Sequence, residues 1–144
     1  MFGLALKDIV EYGIFGVLLA MSIIALWAII ERVLFYRSVM LHVYHKKVEL
    51  EIALSKNLTL IATIGSNAPY VGLLGTVFGI ILTFVQIGQS GVVDTGAIMT
   101  GLALALYATA GGLLVAIPSI VFYNFLLRRS EVLIAKWEAL KEKD

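Results

Sequence analysis

The stretch NLTLIATIGSNAPYVGLLGTVFGIILTFVQIGQSGVV, residues 57–93, contains no Asp, Glu, Lys, Arg or His over its 37 positions. About 20 apolar residues in a helix are enough to cross the roughly 30 Å of hydrocarbon in a bilayer. The stretch therefore predicts a long helix over residues 58–87, which contains a membrane span and extends past the lipid on one side.

Two other parts of the chain have the length and apolar character of a membrane span. Residues 12–30 form a run of 19 positions without a charged side chain, and residues 95–127 form a run of 33 without an ionisable one. The segment GQSGVVD at residues 88–94 is short and contains two glycines, which is typical of a turn. We therefore predict three transmembrane helices, of which the second and third are adjacent, antiparallel and joined by a short periplasmic loop.

The composition also favours an all-α membrane protein. Hydrophobic residues make up 60% of the chain and charged residues 15%, with a mean hydropathy of +0.97, whereas a soluble domain has roughly 45–50% and 25%. There is no cysteine, and His42 and His45 have no set of carboxylates around them, so we expect no metal and no cofactor. The net charge of +1 comes with no dense basic stripe, so we expect no binding to nucleic acid.

Basic residues predict the orientation of the helices in a bacterial inner membrane. Cytoplasmic loops of membrane proteins are enriched in Lys and Arg. The segment 31–57 and the tail after residue 127 carry ten of the eleven basic residues, namely Arg32, Arg37, Lys46, Lys47, Lys56, Arg128, Arg129, Lys136, Lys141 and Lys143. Both segments are therefore predicted to be cytoplasmic and the N-terminus periplasmic. The first span is longer than the apolar region of a usual signal peptide, so we expect it to be retained.

The segments outside the spans are predicted to be helical as well. Residues 1–11 interleave apolar and charged side chains, which suits an amphipathic helix on the outer interface. Residues 31–57 are predicted to form a cytoplasmic helical segment, although residues 48–52 alternate like a strand, because helix formers dominate there. Residues 128–144 are predicted to form a cytoplasmic C-terminal helix. Its apolar stripe consists of Leu133, Trp137 and Leu140. This stripe either packs against neighbouring cytoplasmic helices or belongs to a solvated tail.

Small residues in the second and third spans predict close packing between these helices. Helices in lipid gain little from apolar contact with each other, so they associate where small side chains let their backbones approach. We assign this packing role to Gly72, Gly75, Gly79 and Gly112. Pro69 and Pro118 lie near the predicted cytoplasmic ends of the same helices, and each is predicted to bend its helix because proline frees a backbone carbonyl.

Four threonines occupy matched positions in these two helices. Thr76 stands 15 residues before Gly91, and Thr109 stands 18 residues after it. Thr83 and Thr100 stand 8 residues before and 9 residues after the same glycine. In antiparallel helices each pair falls at a similar depth. Two interpretations stay open. Each hydroxyl can donate to the carbonyl four residues earlier in its own helix, or the four hydroxyls can line a narrow polar track for protons.

No Asp, Glu, His, Lys or Arg lies within any of the three predicted spans. Pumps and transporters normally place an ionisable group in the membrane for their relay. The chain therefore either moves no ions or depends on a partner that supplies the titratable group.

Two blocks in these spans resemble the MotA/TolQ/ExbB family of proton-channel subunits. The block LIATIGSNAPYVGLLGTVFGIILTF, Leu60 to Phe84, is similar to the family pattern A-P-x-x-G-L-x-G-T-V-x-G-I. The block ALYATAGGLLVAIPSIVFYNFL, Ala105 to Leu126, is similar to A-L-x-A-T-x-x-G-L-x-x-A-I-P. The two blocks stand in the family order and together cover about a third of the chain.

The resemblance is greatest to ExbB, and it implies a function and partners. ExbB-like subunits form a ring-shaped homo-oligomer, a pentamer, whose second and third helices line a central pore. An ExbD-like dimer in that pore has one transmembrane helix and one essential Asp per chain. Proton flow past this Asp drives outer-membrane uptake through a TonB-like protein. Under this resemblance the chain is a channel subunit and not an enzyme, and Thr76 and Thr109 correspond to pore-facing threonines beside the partner's Asp.

Two features depart from the family pattern. Many relatives have Glu five residues before the third-span threonine, and this chain has Leu104 there. The segment 31–57 is much shorter than the cytoplasmic loop of MotA, which argues against a role in the flagellar motor. A TolQ-type subunit of the Tol-Pal system and a passive oligomeric membrane scaffold remain as alternatives.

Overall fold

A computed structural model describes residues 2–143, with side chains described from residue 5 onwards. The described residues contain no strand and form α1 (Phe2–Ser38), a 3₁₀ turn (Leu41–Val43), α2 (Lys47–Ser55), α3 (Leu58–Ser90) and α4 (Thr95–Lys143). Three helical segments are long and apolar enough to cross a membrane, namely Ala5–Ser38, Lys47–Ser90 and Thr95–Lys143. This confirms the all-α class with three apolar helices that the sequence predicts.

The helix boundaries differ from the predicted segments at two places. α1 continues through residues 11 and 12, so residues 2–11 are the first turns of α1 and not a separate helix. α4 likewise continues through residues 127 and 128. Neither boundary contains a proline, and a helix that is already formed extends at little cost. Residues 1 and 144 lie outside the described residues, and which turns of each helix lie in lipid stays a prediction.

The segment 31–57 is divided into three pieces rather than one helix. α1 extends to Ser38, the 3₁₀ turn follows, and the strand-like residues 48–52 belong to the helix α2. Asn57 then adopts a left-handed backbone conformation, with φ at 67°, which separates α2 from α3. Asn tolerates this conformation better than most residues.

A four-residue loop, residues 91–94, joins α3 to α4. Gly91 ends α3 with φ at 69°, and its N–H donates to the carbonyl of Ile87. Asp94 caps the first turn of α4, because its Oδ1 accepts hydrogen bonds from the backbone N–H of Gly96 at 3.0 Å and of Ala97 at 3.4 Å. The loop makes α3 and α4 neighbours that run in opposite directions.

A group of buried side chains surrounds α2, and we refer to it as the α2 cluster. It joins the end of α1, α2, the start of α3 and the second half of α4, and consists of Ala28, Ile29, Tyr36, Leu50, Leu54, Leu58, Ile61, Leu126, Leu133 and Trp137. The Trp137 Nε1–H donates to the Tyr44 carbonyl at 2.9 Å. Of the apolar stripe on α4, Leu133 and Trp137 are thus packed, whereas Leu140 is 48% exposed.

Arg32 is buried beside this cluster and is fully paired. Its guanidinium donates to both carboxylate oxygens of Glu31, at 2.5 and 2.6 Å. It also donates to the carbonyls of Ala53 at 2.7 Å and Leu54 at 3.3 Å, which belong to the last turn of α2. A cation at a helix C-terminus is stabilised by the unpaired carbonyls there. Arg32 therefore fixes α2 against α1.

Large apolar side chains cover the outside of the helix bundle. α1 exposes Leu19, Ile23, Leu26, Trp27 and Ile30 on its surface, each by at least half. Soluble monomers rarely expose contiguous apolar patches of this size. Lipid or further subunits must cover this surface.

Candidate functional site

The backbones of α3 and α4 approach most closely at two glycines. A Cβ added to Gly72 would lie 2.5 Å from the Ala108 carbonyl oxygen and 3.0 Å from the Cα of Gly112. A Cβ added to Gly112 would lie 2.5 Å from the Ala68 carbonyl oxygen and 3.0 Å from the Cα of Gly72. The two positions face each other, and only glycine fits either of them without moving a helix.

The same contact continues along both helices beyond this pair. A Cβ on Gly75 would meet the Cβ of Ala108 at 2.7 Å and the side chain of Ile14 at 2.9 Å, so α1 also packs here. A Cβ on Gly79 would meet the Cβ of Ala105 at 2.8 Å. All four glycines assigned to packing therefore lie where α3 contacts another helix.

Thr76 and Thr109 are joined by a hydrogen bond across this contact. The Oγ1 of Thr76 also lies 2.9 Å from the carbonyl oxygen of Ala105 and 3.3 Å from that of Gly72. A hydroxyl has one proton to donate. Thr76 therefore donates to the Ala105 carbonyl, which is nearer than that of Gly72, and it accepts the hydrogen bond that Thr109 donates. Thr76 is buried and Thr109 is partly exposed, so the pair reaches from the interface to the surface of the helix pair.

The second matched pair does not meet. Thr83 is buried, and its hydroxyl donates to the Gly79 carbonyl of its own helix at 2.8 Å. It faces Gly101, because a Cβ there would lie 2.5 Å from the Thr83 Oγ1. Thr100 is exposed. Consecutive positions on a helix point about 100° apart, so Thr100 does not share the direction of Gly101, which faces Thr83.

Both prolines lie inside continuous helices, Pro69 in α3 and Pro118 in α4. Near Pro69, the Asn67 side chain donates to the carbonyl of Thr63 at 2.8 Å. Its hydrogen bond thus goes to the residue four positions before itself, and not to the Gly65 carbonyl that the proline leaves without its helical partner. A bend at either proline stays a prediction.

Two grooves whose linings include several polar side chains lie at opposite ends of the α3–α4 pair. The Tyr123 groove has a volume of about 480 Å³ and is lined by Thr59, Ala62, Thr63, Ser66, Ile120, Tyr123 and Asn124. The Asp94 groove has a volume of about 350 Å³ and is lined by Thr83, Gln86, Ile87, Ser90, Val92, Asp94, Ala97 and Ile98. Neither groove contains a residue of α1.

Sequence reasoning missed an ionisable pair on α1 that reaches the helix contact. Lys7 and Glu11 line a cavity of about 30 Å³ between α1 and the α3–α4 pair, together with Leu104. The spacing in the sequence indicates this placement. Positions 7, 11, 14 and 18 share one face of a helix, and Ile14 and Leu18 on that face lie against glycines of α3 and α4. Assigning residues 1–11 to a separate interfacial helix concealed it.

Comparison with known proteins finds one matching family model and close relatives. Residues 37–139 match the model of the MotA/TolQ/ExbB proton channel family. An ExbB-like biopolymer transport protein of Helicobacter pylori is 56% identical over 133 residues, which cover 92% of this chain and 89% of that protein. The biopolymer transport protein ExbB of Aquifex aeolicus is 55% identical over 135 residues, which cover 94% of this chain and 91% of that protein. A further ExbB of Helicobacter pylori is 53% identical, covering 94% of both chains.

Proposed function

The chain belongs to the MotA/TolQ/ExbB proton channel family, and on this premise we propose that it is the proton-channel subunit of an ExbB-type energy-transducing complex. It acts there as a multi-pass protein of the bacterial inner membrane, with a periplasmic N-terminus and a cytoplasmic C-terminus. The family consists of channel-type membrane proteins and is not an enzyme class.

One observation carries the proposal: a hydrogen-bonded pair of hydroxyls, Thr76 and Thr109, within two helical stretches that contain no Asp, Glu, Lys, Arg or His. Residues 57–93 and 95–127 contain no Asp, Glu, Lys, Arg or His. A hydroxyl can both accept and donate a proton, but it does not hold a charge at physiological pH. The pair can therefore pass protons or order water, whereas another polypeptide must supply the acid that protons load. An ExbD-like subunit with an Asp in its single transmembrane helix supplies it.

The proposed assembly is a homo-pentamer with α3 and α4 lining the pore. α1 covers one side of the α3–α4 pair through Ile14, Phe15 and Leu18, which approach glycines of both helices. Thr109 is partly exposed and both polar grooves lack α1 residues, so the uncovered side carries the polar groups. This side is suited to face the partner helices. A TonB-like protein then transmits the work to outer-membrane receptors.

The proposal is tested by removing one hydroxyl at a time. Thr76→Val and Thr109→Val keep the side-chain shape and remove the hydroxyl. Each substitution should lower the free energy of unfolding by about 0.5–1.5 kcal/mol. This loss is small enough to leave assembly with the partner intact, which mass measurement of the purified complex checks. We expect each variant to abolish uptake driven by the proton gradient.

Thr95→Val, at the exposed first residue of α4, makes the same chemical change away from the pair and is the matched control. Full uptake in both pair variants would reject the proposal and favour a passive scaffold. Co-purification identifies the system served, since a Tol-Pal partner in place of ExbD and TonB would favour the TolQ-type alternative.

A further inference from the structure

The Asp94 groove gathers polar side chains on a part of the molecule that exposes many apolar ones. Thr83, Gln86, Ser90 and Asp94 line it. The neighbouring turns of α3 and α4 and the loop between them also expose large apolar side chains, namely Ile81, Phe84, Val85, Val92, Val93 and Met99. Polar groups in such a segment require water or protein partners, because hydrocarbon offers none. A groove of about 350 Å³ holds on the order of ten waters.

Asp94 is the single residue among Asp, Glu, Lys, Arg and His between residues 57 and 127. Its Oδ1 caps α4 through Gly96 and Ala97, and the residue is exposed where it lines the groove. α1 carries Lys7, Asp8 and Glu11 at the same end of the bundle, and none of them lines the groove. The Asp94 carboxylate therefore sets the charge at the mouth of the groove.

The buried end of the groove lies on the same face of α3 as the hydroxyl pair. Thr83 is the deepest polar residue of the groove and is 7% exposed. It lies seven residues after Thr76, which places both on one face of α3, about 10 Å apart along the helix axis. Between them the contact is made by Gly79 and Ala105, which have no polar side chain. Water in the groove thus comes within about two helical turns of the pair.

We infer that the Asp94 groove is the water-filled entry through which protons reach the Thr76–Thr109 pair. The inference rests on the proposed function and its orientation, in which this groove opens to the periplasm. The negative charge of Asp94 attracts protons from bulk water to the mouth of the groove, and water in the groove carries them towards Thr83. In a homo-oligomer, repeated copies of Asp94 concentrate protons at the mouth, as clefts of one charge sign concentrate their counter-ions.

Proton flux through the complete complex tests this role. The chain and its single-helix partner are reconstituted together in liposomes, and flux is followed with a pH-sensitive dye at several outer pH values. Asp94→Asn removes the charge but keeps the helix cap, since Asn caps as well as Asp. We expect its flux to fall by roughly tenfold, the low end of the enhancement that charged clefts give. The defect should grow as the outer pH rises, because bulk protons become scarce.

Two further variants separate charge from water access and from general damage. Gln86→Leu makes the groove more apolar and should lower the flux equally at all outer pH values. Asp8→Asn removes an exposed acid of α1 outside the groove and should leave the flux unchanged. Wild-type flux in Asp94→Asn, or a defect that does not depend on outer pH, overturns the inference.

The result also distinguishes this inference from the proposed function. If Thr76→Val stops the flux while Asp94→Asn and Gln86→Leu conduct like the wild type, the channel role stands and the groove is not its entry. If Thr76→Val conducts normally as well, the channel role itself fails.

Discussion

Replacing Gly112 by alanine should force α3 and α4 apart. The added Cβ would lie 2.5 Å from the Ala68 carbonyl oxygen, which is 0.9 Å closer than the 3.4 Å of an ordinary contact. The obstructing atoms are backbone atoms of α3, so no side-chain rotation relieves the overlap. Overpacking of this kind costs about 1–3 kcal/mol. The separation also acts on the hydroxyl pair, because Thr109 lies one turn away on the same face of α4.

Gly16→Ala in α1 is the matched control, because nothing lies within 4 Å of a Cβ at that position. Both substitutions gain the same helix propensity, about 0.5–1 kcal/mol, so this gain cancels in the comparison. We expect Gly112→Ala to have a free energy of unfolding about 1–3 kcal/mol below that of Gly16→Ala. SDS titration of the purified chain in mixed micelles, followed by far-UV circular dichroism, measures both. Equal stabilities would refute the close backbone contact.

Two predictions concern the α2 cluster and use the same titration. Arg32→Met should lower the free energy of unfolding by about 3 kcal/mol, the low end for breaking a buried ion pair, because the carboxylate partner is partly exposed. The control Arg37→Met, at an exposed side chain, should stay within about 0.5 kcal/mol of the wild type. Similar losses in both variants would contradict the pairing. Trp137→Phe should cost about 1–2 kcal/mol because the Tyr44 carbonyl loses its donor, and Trp27→Phe, at a side chain 57% exposed, should be near neutral.

The three long helices could be predicted from the sequence because lipid imposes a simple requirement. A span needs about 20 residues without charge, and runs of this kind are visible in residues 12–30, 57–93 and 95–127. The end of α1 and the division of residues 39–57 could not be predicted. They depend on contacts from distant parts of the chain, such as the α2 carbonyls that bind Arg32.

The sequence predicts how far along the helix axes the threonines of the candidate site lie, but not which way their side chains face around each helix. Counting residues from the loop places Thr76 level with Thr109 and Thr83 level with Thr100, and the structure joins only the first pair. Depth follows from a rise of 1.5 Å per residue, whereas facing depends on a turn of 100° per residue. An error of one position therefore changes the depth little and turns a side chain away, as it does at Thr100.

The α2 cluster also bears on how the protein is made. Its members from α1, α2 and α3 emerge from the ribosome well before the rest, and Trp137 follows its hydrogen-bond acceptor Tyr44 by 93 residues. While the last helix is still being translated, Leu50 and Leu54 lack the α4 side chains that cover them in the finished fold. The nascent chain therefore completes this half of its structure only after the third long helix has been synthesised, and a ribosome that stalls earlier leaves an apolar surface uncovered.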